Sequence, residues 1–318
     1  MSKTAWARGR VIGSVLVLAV LVWRLGAGPF LDGVRSLDGP ALAAAAAIVG
    51  LTTVCCAWRW TIVARGLGLE LSLPSAIAAY YRSLFLNVTL PGGIAGDVHR
   101  GVSHGRDVRD VRRGLRAVMW ERFAGLVVQI LLTVAVLLAL PSPLEAAMPL
   151  VAIFVLAAVA IVVLVARLKP GGRSAWARLH RAAASDVRDA LLVRRAWLSI
   201  ALVSVLIVGG YAITFMIAAR SAGVTAPLSR MLPIALLAVM AMVLPNVGGW
   251  GPREGVTAWA FAAAGLGAGR GVATAVVYGV MVLVASLPGA AILLVTWFRG
   301  ARPAARNRPL LRDRATHA

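Results

Sequence analysis

Acidic residues are scarce in this chain. Among 318 residues there are 12 aspartates and glutamates against 33 lysines and arginines, and charged residues of both signs make up only 14%. A soluble domain carries about 25% charged and about 45–50% apolar residues, whereas 60% of this chain is hydrophobic. The composition therefore excludes an ordinary soluble domain and predicts an all-α, polytopic integral membrane protein.

Cysteine is nearly absent as well. Cys55 and Cys56 are adjacent in an apolar run, and no other cysteine occurs. This excludes a disulfide framework and a zinc site built from cysteine. Paired metal-ligand spacing is missing among the four histidines, which are His99, His104, His180 and His317. We therefore expect no metal and no other cofactor.

Motifs that carry enzyme chemistry are missing too. The chain contains no hydrolase elbow, Walker loop, HExxH or CxxC, so we expect neither catalysis nor nucleotide binding. Without an ATP site, any transport would run downhill or be coupled to an ion gradient. The basic residues lie in short loops between apolar runs rather than on one face of a soluble fold, which argues against nucleic acid as a partner.

Long apolar runs are abundant. A spanning helix needs about 20 residues, and six runs are predicted to cross the membrane: 11–25, 41–64, 117–140, 149–166, 197–219 and 272–298. The first run is short enough for a secretory signal peptide, but a spanning helix is the stronger interpretation. Residues 1–298 are predicted to form a single transmembrane domain, and 299–318 a disordered, basic cytoplasmic tail.

Arginine is distributed unevenly among the connecting segments. The N-terminus, the segments 97–116 and 167–195 and the C-terminal tail are rich in arginine, so the positive-inside rule places both termini in the cytoplasm. The segments 26–40, 141–148 and 220–230 contain less arginine and are predicted to be external loops. The basic segment 97–116 is expected to be a loop that contains His99 and His104, and its residues 106–116 are expected to face lipid headgroups.

Two short apolar segments end at similar helix breaks. Leu90-Pro-Gly-Gly93 and Leu244-Pro-Asn-Val-Gly-Gly249 cannot continue a helix, because proline lacks an N–H and glycine favours turns. With six spans, segment 66–96 begins and ends in the cytoplasm and segment 231–271 begins and ends outside. We predict two opposed re-entrant hairpins, an inverted repeat with a polar site near the midplane. Eight full spans are the alternative, if both hairpins cross completely.

Charged residues and glycines gather around these breaks. Intramembrane ionisable residues are functional by default, and helix N-termini at glycine-rich breaks attract anions. Arginines there could clamp a phosphate while carboxylates hold them or relay a proton; the alternative is structural ion pairs. Arg59 is instead expected to snorkel to the interface, with Trp58 and Trp60 as anchors. The predicted substrate-binding residues are Asn87, Gly92, Gly93, Gly96, Asp97, Arg100, Glu121, Arg122, Gly248, Gly249, Arg253 and Glu254.

These motifs resemble a known family. The run Pro91-Gly-Gly-Ile-Ala-Gly-Asp-Val-His-Arg100, the pair Glu121-Arg122 and the run from Leu244 to Gly255 are similar to the lysylphosphatidylglycerol synthase transmembrane, or flippase-like, family. The resemblance implies a bacterial inner-membrane protein like the lipid-flipping half of aminoacyl-phosphatidylglycerol synthases. The soluble transferase domain of those synthases is expected to be missing, which argues against synthase activity.

The sequence thus leads to a hypothesis of lipid translocation. An anionic phospholipid or a polyprenyl-phosphate-linked lipid would cross the inner membrane, its headgroup passing through a polar cavity at the midplane. Two alternatives stay open: a secondary transporter for a small anion, and a non-catalytic membrane partner of a separate lipid-modifying enzyme. The expected partners are membrane lipids with anionic headgroups, and the sequence is also compatible with a homo-oligomer.

Overall fold

The computed structural model describes residues 19–90, 93–141, 153, 185–186, 194–244, 246 and 250–300, and this part of the chain is helical between its turns. The predicted all-α class is confirmed for these residues. A helical segment at 19–25 precedes the helices α1 Gly28–Arg35, α2 Gly39–Gly66, α3 Leu73–Thr89, α4 Ala95–Asp107, α5 Val111–Ala139, α6 Arg194–Ser221, α7 Leu228–Ala241, α8 Pro252–Ala263 and α9 Ala268–Gly300.

Four helices in the described part are long and apolar enough to cross a membrane. They are α2, α5, the Ala196–Ser221 part of α6 and the Ala268–Phe298 part of α9. They correspond to four of the six predicted spans. The predicted span 149–166 lies outside the described residues apart from residue 153, and only the end of the predicted span 11–25, at 19–25, falls within them.

The basic segment 97–116 is helical, so the prediction of a loop there is wrong. It contains most of α4 and the start of α5, with a short turn between them. Asp110 caps α5 by accepting a hydrogen bond from the backbone N–H of Arg113 at 2.9 Å. Glycines let the two helices pack closely, because a Cβ on Gly114 would lie 2.7 Å from the Cα of Gly105.

The segment 26–40, predicted to be a loop, contains helix α1. Pro29 lies in its first turn, where the missing N–H leaves no intrahelical hydrogen bond unmade. α1 packs on α9, and a Cβ on Gly33 would lie 2.8 Å from the carbonyl oxygen of Ala273. The short helix therefore joins the bundle instead of forming an open loop.

Helices α2 and α6 are neighbours that run in opposite directions. At the start of α2, Asp38 and Ala41 line one crevice with Arg220, near the end of α6. Towards the other end, Arg59 of α2 donates a hydrogen bond at 3.0 Å to Ser204, in the first part of α6. The segment that follows α2 and the segment that follows α6 consequently enter the bundle from opposite ends.

Each of these two segments is a hairpin of short helices. Hairpin 1 consists of α3 and α4; Leu69 before it and Val108 after it belong to one apolar cluster, so it begins and ends at the same end of the bundle. Hairpin 2 consists of α7 and α8 and leads into α9, whose start packs on α1 beside the start of α2. Hairpin 1 extends beyond the predicted limit at residue 96, because its returning helix is Ala95–Asp107.

The two helix breaks meet where the hairpins turn. Gly93 has a positive φ of 63°, and a Cβ at this position would lie 2.7 Å from Oδ1 of Asn246, which is buried in the second break. The opposed arrangement predicted for the hairpins is therefore present. The order long helix, hairpin, long helix occurs once from α2 to α5 and again, reversed in direction, from α6 to α9.

Glycine at position 289 is required by the packing of α9 on α3. We expect Gly289→Ala to lower the thermal unfolding midpoint in detergent, because its Cβ would collide with the carbonyl oxygen of Tyr81, which cannot move without shifting α3. Overpacking of this kind costs about 1–3 kcal/mol. Gly209→Ala is the matched control, since its Cβ meets nothing within 4 Å; equal midpoints for the two variants would contradict this packing.

Candidate functional site

Glu121 of α5 is completely buried, and both of its carboxylate oxygens accept hydrogen bonds. Arg59 donates to Oε1 from Nε at 2.9 Å and from Nη2 at 2.5 Å. Arg100 donates from Nη2 to Oε2 at 2.7 Å. The hydroxyl of Tyr80 lies 3.1 and 3.3 Å from the two oxygens. One carboxylate thus connects α2, α3 and α4 to α5.

Asp97, in the first turn of α4, is the second carboxylate of the site. Its Oδ1 accepts hydrogen bonds from Nε of Arg100 at 3.0 Å and from Nε and Nη2 of Arg122 at 3.2 and 2.7 Å. Ser83 donates to the same oxygen at 3.2 Å, and Nδ2 of Asn87 donates to Oδ2 at 3.3 Å. Asp97 therefore has three partners besides Arg122.

These five ionised side chains do not balance in charge. Three guanidiniums, those of Arg59, Arg100 and Arg122, face two carboxylates, so one positive charge is left over within the network. Uncompensated charge is expensive inside a membrane protein, and it is found where an ion or an anionic group is handled. The network of these five side chains therefore carries a net positive charge.

Local sequence explains how hairpin 1 builds its share of the network. Asp97 and Arg100 are three residues apart, which puts both on one face of α4. Asn87 of α3 accepts a hydrogen bond from the N–H of Gly96 at 2.8 Å, satisfying a free donor at the start of α4. Gly96 lies against the backbone of Ser83, so only a residue without a side chain allows α4 to approach α3 this closely.

The arginines differ in their access to the outside. Arg100 is fully buried, with its Cζ 4.7 Å from the ring centroid of Trp60 and 4.3 Å from that of Tyr80. The side chain of Arg122 is 41% exposed, and that of Asp97 is 13% exposed. Arg122 is therefore the most exposed arginine of the network.

Hairpin 2 carries a smaller, balanced pair at the start of α8. Arg253 donates to Oε1 of Glu254 from Nε at 3.0 Å and from Nη2 at 2.5 Å. Oε2 of Glu254 accepts from the N–H of Gly251 at 2.6 Å, capping the helix. Both side chains are buried, and the guanidinium of Arg253 lies 5.3 Å from the ring centroids of Trp250 and Tyr278.

Residues 9–289 match the family model described as the lysylphosphatidylglycerol synthase TM region. The chain belongs to this family. None of the curated proteins compared with the chain matches it. Membership in the lysylphosphatidylglycerol synthase TM family makes this a membrane protein related to lipid handling, and it confirms the resemblance carried by the sequence motifs.

In this family member, the structure brings together six of the twelve residues predicted from the sequence. Asn87, Gly96, Asp97, Arg100, Glu121 and Arg122 form one network, and Gly93 lies at the contact between the two breaks. Arg253 and Glu254 form the separate pair on hairpin 2. Gly92, Gly248 and Gly249 lie outside the described residues.

Two residues of the site were assigned wrongly from the sequence. Arg59 does not snorkel: it is 4% exposed and bonds to Glu121 and Ser204. Trp60 is no interfacial anchor, because it is completely buried under Arg100. Arg59 lies inside an apolar run, with no acidic residue within one helical turn. This pattern was the available signal that a carboxylate from another segment would pair with it.

The two histidines of hairpin 1 were also misplaced by the sequence analysis. His99 and His104 were expected in a loop, but both lie on helix α4. His104 is buried and packs edge-on against Trp60, with ring centroids 5.6 Å apart.

Loss of the Glu121 charge should destabilise the whole bundle. Glu121→Gln keeps the shape of the side chain but leaves Arg59 and Arg100 without this counter-charge, and breaking a buried pair costs about 3–5 kcal/mol. We expect a much lower thermal unfolding midpoint in detergent and a reduced yield of folded protein. Glu70→Gln, at an exposed glutamate, is the control expected to behave as the wild type. Equal stability of the two variants would contradict the central role of Glu121.

Proposed function

We propose that the protein translocates an anionic lipid, a phospholipid or a polyprenyl-phosphate-linked lipid, across the bacterial inner membrane. The observation that carries the proposal is the unbalanced positive charge of the network, which becomes accessible at Arg122. Membership in a family related to lipid handling supports a lipid as the substrate. The protein would act as a carrier, without catalysing a chemical change.

The pairing of Asp97 suggests how a phosphate could bind without disrupting the site. Arg122 can exchange its bonds with Asp97 for a bidentate bond to a phosphate. Asp97 would still be held by Arg100, Ser83 and Asn87. The headgroup would thereby be stabilised within the protein while its acyl chains stay in the surrounding lipid, which lowers the cost of moving a charge through the membrane.

The inverted arrangement of the two halves supports transport between the two sides. Inverted halves are common among secondary transporters, whose substrate sites lie near the midplane where discontinuous helices meet. Here the hairpins enter from opposite ends, and their breaks are in contact at Gly93 and Asn246. The end of the bundle that carries Arg106, Arg109, Arg112, Arg113 and Arg116 would face the cytoplasm, together with both termini, by the positive-inside rule.

A second candidate function follows from the pairing of the charges. Both carboxylates of the network, and Glu254 on hairpin 2, are already bonded to arginines. Such self-satisfied pairs would also suit a non-catalytic membrane partner that holds a separate lipid-modifying enzyme. In that case the ion pairs would serve to fix the helices and would not bind a headgroup.

Translocation by reconstituted protein tests the proposal. We expect purified protein in liposomes to move a fluorescent anionic phospholipid between leaflets. Quenching of the probe that remains in the outer leaflet measures this movement. Arg122→Gln should slow this movement about tenfold or more, because a hydrogen bond to a charged group contributes about 1.5–3 kcal/mol. Arg113→Gln is the control, since Arg113 is 47% exposed and pairs only with Asp110 among its described neighbours.

The outcomes separate the two candidates. Unchanged translocation in folded Arg122→Gln would show that this site does not handle the lipid. Wild-type protein that moves neither phospholipid nor polyprenyl phosphate, while remaining folded, would contradict the transport proposal and favour the role of a membrane partner.

A further inference from the structure

Three buried nitrogen atoms around Trp60 have no hydrogen-bond partner among the described residues. They are Nε1 of Trp60, Nη1 of Arg100 and Nε2 of His104. Trp60 and Arg100 are fully buried, and His104 is 6% exposed. Leaving a buried donor unpaired is costly, and more so when the group is charged. Three such atoms, on side chains packed around one indole ring, are available to a further group.

Packing brings the three side chains together. Arg100 and His104 are one turn apart on α4, which places them on the same face of that helix. The Cζ of Arg100 lies 4.7 Å from the ring centroid of Trp60, and the imidazole centroid of His104 lies 5.6 Å from it. The guanidinium and the imidazole that carry two of the unpaired nitrogens therefore both lie against the indole ring that carries the third, between α2 and α4.

Charge favours an anion over a neutral molecule at this place. Arg100 uses Nε for Asp97 and Nη2 for Glu121, so Nη1 is the part of its guanidinium left without a partner. The network to which it belongs carries one positive charge in excess. A bound anion would cancel that excess and accept hydrogen bonds from the indole, the guanidinium and the imidazole in its Nε2–H tautomer.

We propose that Trp60, Arg100 and His104 form a buried binding site for a small inorganic anion of the halide class. The donors belong to tightly packed rings and a fully buried guanidinium, which suits a single atom better than a phosphate ester attached to a lipid. The site is separate from the exposed edge of the network at Arg122. It draws on the same excess positive charge as the lipid proposal, but its test measures halide binding to the purified chain, so it can fail without translocation failing.

Halide-dependent stability of the purified full chain tests the site. A ligand that binds the folded state raises the unfolding midpoint as its concentration increases. We expect the midpoint of the wild type to rise with chloride and bromide relative to sodium gluconate at equal ionic strength. Inorganic phosphate, at the same ionic strength, should give no rise that depends on Trp60.

Matched variants distinguish this site from general salt effects. Trp60→Phe removes the indole donor while keeping an aromatic ring beside Arg100, and it should lose most of the halide-dependent rise. Trp197→Phe, at a tryptophan that is 46% exposed, should retain the full rise. A rise that persists unchanged in Trp60→Phe would overturn the proposal, as would a wild type with equal midpoints in halide and gluconate.

Crystallography of the wild type gives a test that needs no variant. In crystals grown in bromide, an anomalous peak within hydrogen-bond distance of Nη1 of Arg100 is the expected result. An ordered water molecule at that place, without anomalous signal, would overturn the proposal. A rise in stability with phosphate that is as large as that with chloride, and that Trp60→Phe abolishes, would also overturn the assignment to halides and indicate a polyatomic anion site.

Discussion

The carboxylate of Glu121, held between two arginines, is the interaction on which the arrangement of the bundle depends. It accepts hydrogen bonds from Arg59 on α2, Tyr80 on α3 and Arg100 on α4 while itself belonging to α5. In a membrane, apolar side chains gain little by contacting each other rather than lipid. A buried charge that requires partners on three other helices therefore determines which helices must be adjacent.

Small residues make this electrostatic centre sterically possible. Gly125 faces the guanidinium of Arg59, because a Cβ on Gly125 would lie 2.6 Å from Nη1 of Arg59. Likewise, a Cβ on Gly279 would lie 2.5 Å from Nη2 of Arg253 on hairpin 2. Close helix approach through glycine is common in membrane proteins. Here it serves a second purpose, because each glycine creates the space that a buried arginine occupies.

Sequence reasoning succeeded where the signal was local or repetitive. The apolar runs predicted the long helices α2, α5, α6 and α9, and the Leu-Pro and glycine motifs predicted the breaks of both hairpins. It failed at Arg59 and Trp60, which were assigned to the interface because of their position near the end of a run. The partners of Arg59 are Glu121 and Ser204, which lie 62 and 145 positions away in the chain, and no periodicity reports such a pairing.

The amino-acid sequence by itself determined that this is an all-α membrane protein with two interrupted helices and charged residues beside the breaks, because hydropathy, proline and glycine act within a few residues. Only the tertiary structure decided which arginine pairs with which carboxylate and which arginine remains accessible. It also decided that the network keeps one positive charge in excess. Such properties depend on distances between side chains from different helices, which exist only once the helices have packed.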